Sequence, residues 1–421
     1  MPAGRTIVEA ILSRASGREA RAGDVVVCDV DTMLAPDASA PMTLDYFERM
    51  GGTSVFAPER IVFAMDHYAP PPSAASANHH RRMRAFAAEH GISVCEVGEG
   101  IGHQRLLELG RALPGQVVIG ADSHTVTFGA LNAFATGIGS SDLAAAMITG
   151  RVWLRVPRTI RVELVGHLAP DVSAKDIVLY LLEHFGADGA DYRSLEFCGP
   201  GVDALELADR LVLANMSVEM GAKCGLFRAD AIVHDYLATR TYVAYEGVEP
   251  DDDAVYEHHV RVDLDAIAPS VARPHRVDSI DAVSVAAGVR VDMVFVGTCT
   301  GGRVEDFHAF RNAVLRGGGI ASDVTVVLTP ASRDVLAAII ADGTLSELVA
   351  MGAVLTTPGC GACCGTSGAI PSDGMTVVST ANRNFKGRMG NATASIYLAS
   401  PQTCGASAAT GVITDPRAVP S

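Results

Sequence analysis

The sequence predicts an α/β protein of several domains, each built on a mostly parallel sheet. Three observations carry this reading. At 421 residues the chain is too long for one ordinary hydrophobic core. Apolar, β-branched runs such as QVVIG, VDMVFVG and VTVVLT alternate with helical patterns such as AKDIVLYLLEHF and RDVLAAIIADG. Glycine-rich joints separate them, which is the order expected of parallel strands joined by crossover helices.

Taken in chain order, TIVEAILSRASG reads as an amphipathic helix. Glu9 interrupts its short apolar stretch, so it lacks the apolar centre of a signal peptide. GQVVIGADSHT passes from strand into turn, and GALNAFATGIGSSDLAAAMITGR continues as loop and helix. RTIRVELVG opens a new strand and AKDIVLYLLEHFG an amphipathic helix, placing a boundary near residue 157. The acidic EGVEPDDDAVYEHH and the proline-containing APSVARPHRVDS precede VDMVFVG, so a third unit starts near 280. It runs on through VTVVLTPA, RDVLAAIIADG, LSELVAMG and GMTVVST in βα order. The expected units are 1–157, 158–280 and 281–421.

A formal charge of −15 repels phosphate backbones and anionic lipid, so neither nucleic acid nor a membrane is an expected partner. Runs such as VLAAIIA are too short to span a bilayer. Nine cysteines without an export signal point to reduced thiols in a cytoplasm. An anionic substrate would need a local basic pocket.

Three constellations carry chemistry. The first is a set of thiols. TPGCGACCGTSG holds Cys360, Cys363 and Cys364, and Cys299 follows the strand of VDMVFVGTCTGGR, where ligands gather in open α/β folds. Such thiols suit a disulfide, a redox C-x-x-C, a structural zinc or an iron–sulfur cluster. Zinc closes with four ligands. Three thiolates suit a [4Fe-4S] cluster with one iron free to act as a Lewis acid. Cys364 reads as packing, and Cys28, Cys95, Cys198, Cys224 and Cys404 read as core residues.

The second constellation is Asp66–His67, His103 and Asp122–Ser123–His124, histidines beside glycines or carboxylates that could exchange protons near neutral pH. By contrast His79 and His80, in ANHHRR, read as solvated surface. The third is STANRNFKGRMGN, where Asn382, Arg383, Lys386 and Arg388 follow a strand. Arginine's planar fork matches a carboxylate, so this loop is the basic pocket a di- or tricarboxylate would need. A solvated charged loop is the plainer alternative.

Together, GTCT, PGCGAC and NRNFKGR in that order resemble the aconitase superfamily, in particular the large subunits of 3-isopropylmalate dehydratase and homoaconitase. The likeness runs from TIVEAILSRASG to LASPQTCGASAATGVITDPR. It implies three α/β domains around a central cleft, and a hydro-lyase that isomerises a substituted malate by dehydration and rehydration. It implies a [4Fe-4S] cluster on Cys299, Cys360 and Cys363. It also implies catalytic pairs Asp66–His67, His103 with Asp122 and His124 with Glu196, with His67 as the acid that protonates the leaving hydroxyl. Substrate contacts are implied for Ser123, Asn382, Arg383 and Arg388. A separate small subunit, carrying a fourth domain and a serine base, is the expected partner, and the chain alone is expected to turn over little.

Two positions depart from the family pattern. Gly301 stands where an asparagine is usual, and Pro36 stands where relatives carry a polar residue, although Asp37 and Ser39 fit. Both departures bear on the substrate, for which 3-isopropylmalate is the first expectation. Homocitrate-type and methyl- or dimethylmalate substrates are close alternatives. An RNA-binding iron sensor and a non-catalytic three-thiol zinc protein are the readings from other classes.

Overall fold

The strand Thr32–Pro36 lies at the centre of a five-stranded sheet, between Ile61–Ala64 and Val117–Gly120, with Ser93–Cys95 and Phe134–Gly137 at the edges. Every pairing is parallel. The three inner strands are buried along their whole length, which is why they read as continuous apolar runs rather than alternating ones. The structure is a computed structural model that describes residues 4–419.

A second, four-stranded parallel sheet has the order Cys224–Leu226, Arg193–Cys198, Arg158–Val165, His258–Asp263. The third sheet has seven strands. Ser395–Leu398, Thr376–Ser379, Met293–Gly297, Thr325–Thr329 and Val354–Leu355 run parallel. Ser270–Ala272 and Ile280–Ala282 extend it antiparallel, so this sheet begins ahead of residue 280. A three-residue strand has too few positions to show a period. A two-stranded antiparallel ribbon, Val25–Asp29 with Arg151–Arg155, alternates exposed and buried residues along both strands.

Helix ends follow local chemistry. Thr6 and Glu9 form a capping box on Ile7–Ser16, and Gly17 closes that helix in the left-handed conformation. Glu9 is buried because its carboxylate accepts the backbone N–H groups of Thr6 and Ala22, both at 2.9 Å. Ser173 and Asp176 cap Ala174–Phe185 in the same way. Among the described residues no helix is long and apolar enough to cross a membrane.

The consequence for function lies at the carboxyl ends of the strands. Asp37 follows Thr32–Pro36, Asp66 and His67 follow Ile61–Ala64, and Asp122 follows Val117–Gly120. In the third sheet Cys299 follows Met293–Gly297, and Asn382 follows Thr376–Ser379. A parallel sheet delivers all its carboxyl ends to one edge, so residues far apart in sequence meet there.

Candidate active site

All nine cysteines are free thiols, and three of them are tied into one polar network. Cys299 lies in the buried turn Thr298–Gly301, and its Sγ accepts amide N–H groups from Asn215 at 3.1 Å and Asn382 at 3.4 Å. The Asn382 carbonyl oxygen lies 3.8 Å from Cys363 Sγ, so one amide touches both sulfurs. Arg388 Nη2 donates to Cys363 Sγ at 3.3 Å. Cys360 packs with Cys299, Ile101 and Ala331. Its own Sγ, with an oxygen of Asp66 and a ring nitrogen of His67, forms a group within 4.8 Å. Cys364 instead turns its Sγ to Thr366 Oγ1, at 2.7 Å.

This donor set fits an iron–sulfur cluster. Burial pushes the Cys299 thiol up to about 12, so its thiolate requires a positive neighbour. Amide and guanidinium N–H groups aimed at sulfur are partners for thiolates bound to metal. The loop that carries two of the thiols is stitched onto the histidine segment. Cys360 N–H donates to the Asp66 carbonyl at 2.9 Å, and Thr366 Oγ1 donates to the His67 carbonyl at 2.6 Å. A Cβ at Gly359 would lie 2.8 Å from the Asp66 carbonyl oxygen, so the approach requires glycine there.

His67 Nδ1 is 2.7 Å from Asp66 Oδ1, and Asp66 Oδ2 accepts the Gly102 N–H at 2.7 Å. Desolvation lowers the basicity of His67, but the neighbouring Cys360 and Asp66 outweigh it and hold the ring well above its usual range. Asp122 is the hub of the histidines. Its oxygens lie 3.6 Å from His67 Nε2, 3.7 Å from His103 Nε2 and 3.5 Å from His124 Nδ1. It also caps its own turn by accepting the His124 N–H at 2.7 Å. Burial would raise this carboxyl, but its bond to His124 and the charges of the three histidines hold it well below the carboxylate range. His103, fully enclosed beside Phe128, is lowered by burial to about 4, and its Nε2 has no hydrogen-bond partner.

The expected pairing of His124 with Glu196 does not form. His124 Nε2 is 2.9 Å from Glu219 Oε1. Glu219 Oε1 and Oε2 also accept Arg383 Nε at 2.8 and 3.0 Å, and Arg383 Nη2 donates to Ser123 Oγ at 2.9 Å. Glu196 instead accepts the Tyr256 hydroxyl and, at 3.1 Å, the backbone N–H of Ile7. It anchors the N-terminal helix to the second sheet.

His80 is likewise not solvated surface. It is buried, with Nε2 at 2.8 Å from Asp37 Oδ2, whereas His79 is exposed. Asp37 also accepts the backbone N–H groups of His67 at 2.9 Å and Tyr68 at 3.0 Å. The pair therefore holds the backbone that presents His67.

The two departures from the family pattern have different surroundings. A Cβ on Gly301 would lie 2.3 Å from Thr380 Cβ, so the side chain of Thr380 fills the space of an amide there. Asn215 and Asn382 supply the amides that reach Cys299. Pro36 is buried at the end of its strand, directly before Asp37. Lys386 is exposed, and Arg388 Nε is buried without a partner.

Asn215, Glu219, Asp37 and His80 complete the site without having been assigned a role in it from sequence. For the first two a signal exists: in LVLANMSVEMG, Asn215 and Glu219 stand four positions apart and, with Ser217, are the polar residues of an otherwise apolar segment. That spacing puts them on one helical face.

The aconitase family (aconitate hydratase) matches residues 7–411. The chain is 45% identical to 3-isopropylmalate dehydratase large subunit 1 of Methanopyrus kandleri, over 98% of this chain and 99% of that one. It is 42% identical to the 3-isopropylmalate dehydratase large subunit of Elusimicrobium minutum, over 99% of each. It is 44% identical to the probable methanogen homoaconitase large subunit of Methanosarcina mazei, over 94% of this chain and 100% of that one. Among solved structures, Thermococcus kodakaraensis aconitase X superposes with a TM-score of 0.50 and 13% identity, covering 85% of this chain and 84% of that one. This last likeness concerns the fold alone.

Proposed function

Because the chain belongs to the aconitase family and is a hydro-lyase, we propose that it is the large subunit of a dehydratase that isomerises a substituted malate, with 3-isopropylmalate as substrate. The relatives from Methanopyrus and Elusimicrobium, named for that activity, support the choice. The Methanosarcina relative, at similar identity, supports a homoaconitase substrate as the second reading. The observation that carries the proposal is one network. Cys299 and Cys363 take amide and guanidinium donors, and Cys360, packed on Cys299, lies against a histidine held by a carboxylate.

In this reading Cys299, Cys360 and Cys363 hold a [4Fe-4S] cluster. When bound, an iron of that cluster free of protein ligands supplies a Lewis acid for the departing hydroxyl. His67 is the proton donor. Asp66 fixes its Nδ1, which leaves Nε2 as the ring nitrogen that offers the proton. Asp122, lowered and ionised, orients His67, His103 and His124 around itself.

Arg383 and Arg388 bind the substrate carboxylates. Glu219 fixes the plane of Arg383 and turns its Nη2 to Ser123, while the unpartnered Nε of Arg388 remains free to donate. Asn382 links the two halves by touching Cys299 and Cys363 from the chain position before Arg383.

The relatives' names as large subunits support a small-subunit partner, which would supply the base that removes the carbon-bound proton. The test is an anaerobic assay of the reconstituted chain, alone and with candidate small subunits, following alkene formation on a panel of malates. The expected result is negligible turnover alone and restored turnover on 3-isopropylmalate with a partner. Full activity from the single chain, or preference for another malate, overturns the corresponding part.

A further inference from the structure

Lys175 is the second residue of the helix Ala174–Phe185 and is almost fully buried. Both circumstances oppose a cation. The first turn of a helix carries the positive end of its dipole, and enclosure removes the hydration an ammonium needs. The Asp176 carboxylate next to it is occupied elsewhere, accepting from Ser173 and from the Ser270 N–H. Lys175 Nζ donates to two uncharged acceptors, the Ala381 carbonyl at 2.8 Å and Met216 Sδ at 3.3 Å. Burial lowers its basicity, while Cys404, Asp306, Cys299 and Cys363 act against that; Asp306, the one carboxylate among them, accepts the Arg303 N–H rather than Lys175.

The two contacts are informative by position. Ala381 precedes Asn382, and Met216 follows Asn215, so Lys175 grips the chain beside each of the two amides that donate to Cys299 Sγ. A buried cation without a carboxylate partner costs several kcal/mol unless an anion lies near. A cluster held by three thiolates is such an anion. We propose that Lys175 is a positioning residue for the cluster, reaching from the second sheet's helix to hold both amide-bearing segments against Cys299 and to supply a buried counter-charge. This rests on the reading of Cys299, Cys360 and Cys363 as cluster ligands.

The experiment compares Lys175→Met, Lys175→Arg and the wild-type full chain, reconstituted anaerobically with iron and sulfide. Three quantities are measured: the rate at which a chelator removes iron, the midpoint potential of the cluster, and the melting temperatures of the apo and reconstituted proteins. Lys175→Met is expected to lose iron roughly 10- to 100-fold faster, the usual effect of removing a partner behind a metal ligand. Its potential should fall, because the more negative reduced state loses its counter-charge. Its apo form should melt no lower than the wild type, since the unpaired cation has gone. Lys175→Arg should restore most of the potential.

Unchanged iron release and potential in Lys175→Met would overturn the proposal. So would an equal drop in both melting temperatures with the potential intact, which would reduce Lys175 to packing. Failure of the wild-type chain to take up iron and sulfide would instead overturn the cluster reading itself.

Discussion

His124 and Glu219 lie 95 positions apart in the chain, yet Nε2 and Oε1 are 2.9 Å apart. Glu219 also grips Arg383 through both oxygens, so one carboxylate orients a histidine and the arginine proposed to bind substrate together. Glu219→Gln should therefore raise KM and lower kcat, by about 10²-fold combined, as expected when a buried, charge-assisted network loses its charge. Glu196→Gln should leave kinetics near wild type and cost about 1 kcal/mol of stability, through Tyr256 and Ile7. Steady-state kinetics and melting curves on both variants check the assignment, and the reverse pattern would restore Glu196 to the site.

The thiols make a second contrast. Serine at Cys299, Cys360 or Cys363 should abolish the broad visible absorbance of the reconstituted protein, because each is a proposed cluster ligand. Cys364→Ser should keep it, since that sulfur is engaged with Thr366. Loss of the band in Cys364→Ser with retention in Cys363→Ser would exchange the two.

His80 and His79 are adjacent and should behave differently. His80→Ala leaves Asp37 short of a buried partner and loosens the backbone N–H groups of His67 and Tyr68. A stability loss of about 1.5–3 kcal/mol is expected, together with reduced turnover. His79→Ala, on the exposed face of the same helix, should change neither. Unfolding curves and kcat for the pair decide it.

Arg388→Lys retains the charge and loses the fork. Arg388 uses Nη2 for Cys363 and keeps a buried, unpartnered Nε, so a single ammonium cannot serve both sulfur and substrate. KM should rise by roughly 10- to 100-fold, the equivalent of a lost charge-assisted bond. A wild-type KM would remove this arginine from the substrate.

His103 predicts a pH dependence of stability. Burial lowers it to about 4 in the folded chain, against about 6.5 for an unperturbed histidine. As pH falls between these values the unfolded state takes up the proton first, so stability is lost across that window and is complete above it. His103→Gln should remove at most about 3 kcal/mol of that loss. Denaturant unfolding of the apo-chain at pH 7 and pH 4.5 measures it. Parallel losses in variant and wild type would mean that the ring protonates freely in the fold.

Much of this architecture is legible in the sequence for a local reason. Alternation of β-branched runs with amphipathic helices is a property of neighbours in the chain, and it foretells parallel sheets wherever strands are long enough to show a period. The same holds for Cys360 and Cys363, Arg383 and Arg388, and Asp66 with His67, whose spacing already sets them on one turn or strand end. The short strand Ser270–Ala272 lies below that threshold.

The tertiary structure alone decided partners. His124 had five glutamates available in the following hundred residues, and its choice of Glu219 depends on a contact between the turn after Val117–Gly120 and the turn Ser217–Met220 that follows the helix Leu207–Met216. His80 belongs to a polar helical segment, and only Asp37, 43 positions away at a strand end, makes its burial affordable. Lys175 reads as an ordinary first-turn lysine until Ala381 and Met216 close over it. Burial and hydrogen bonding between distant segments are set by which surfaces pack, and spacing along the chain carries no record of that.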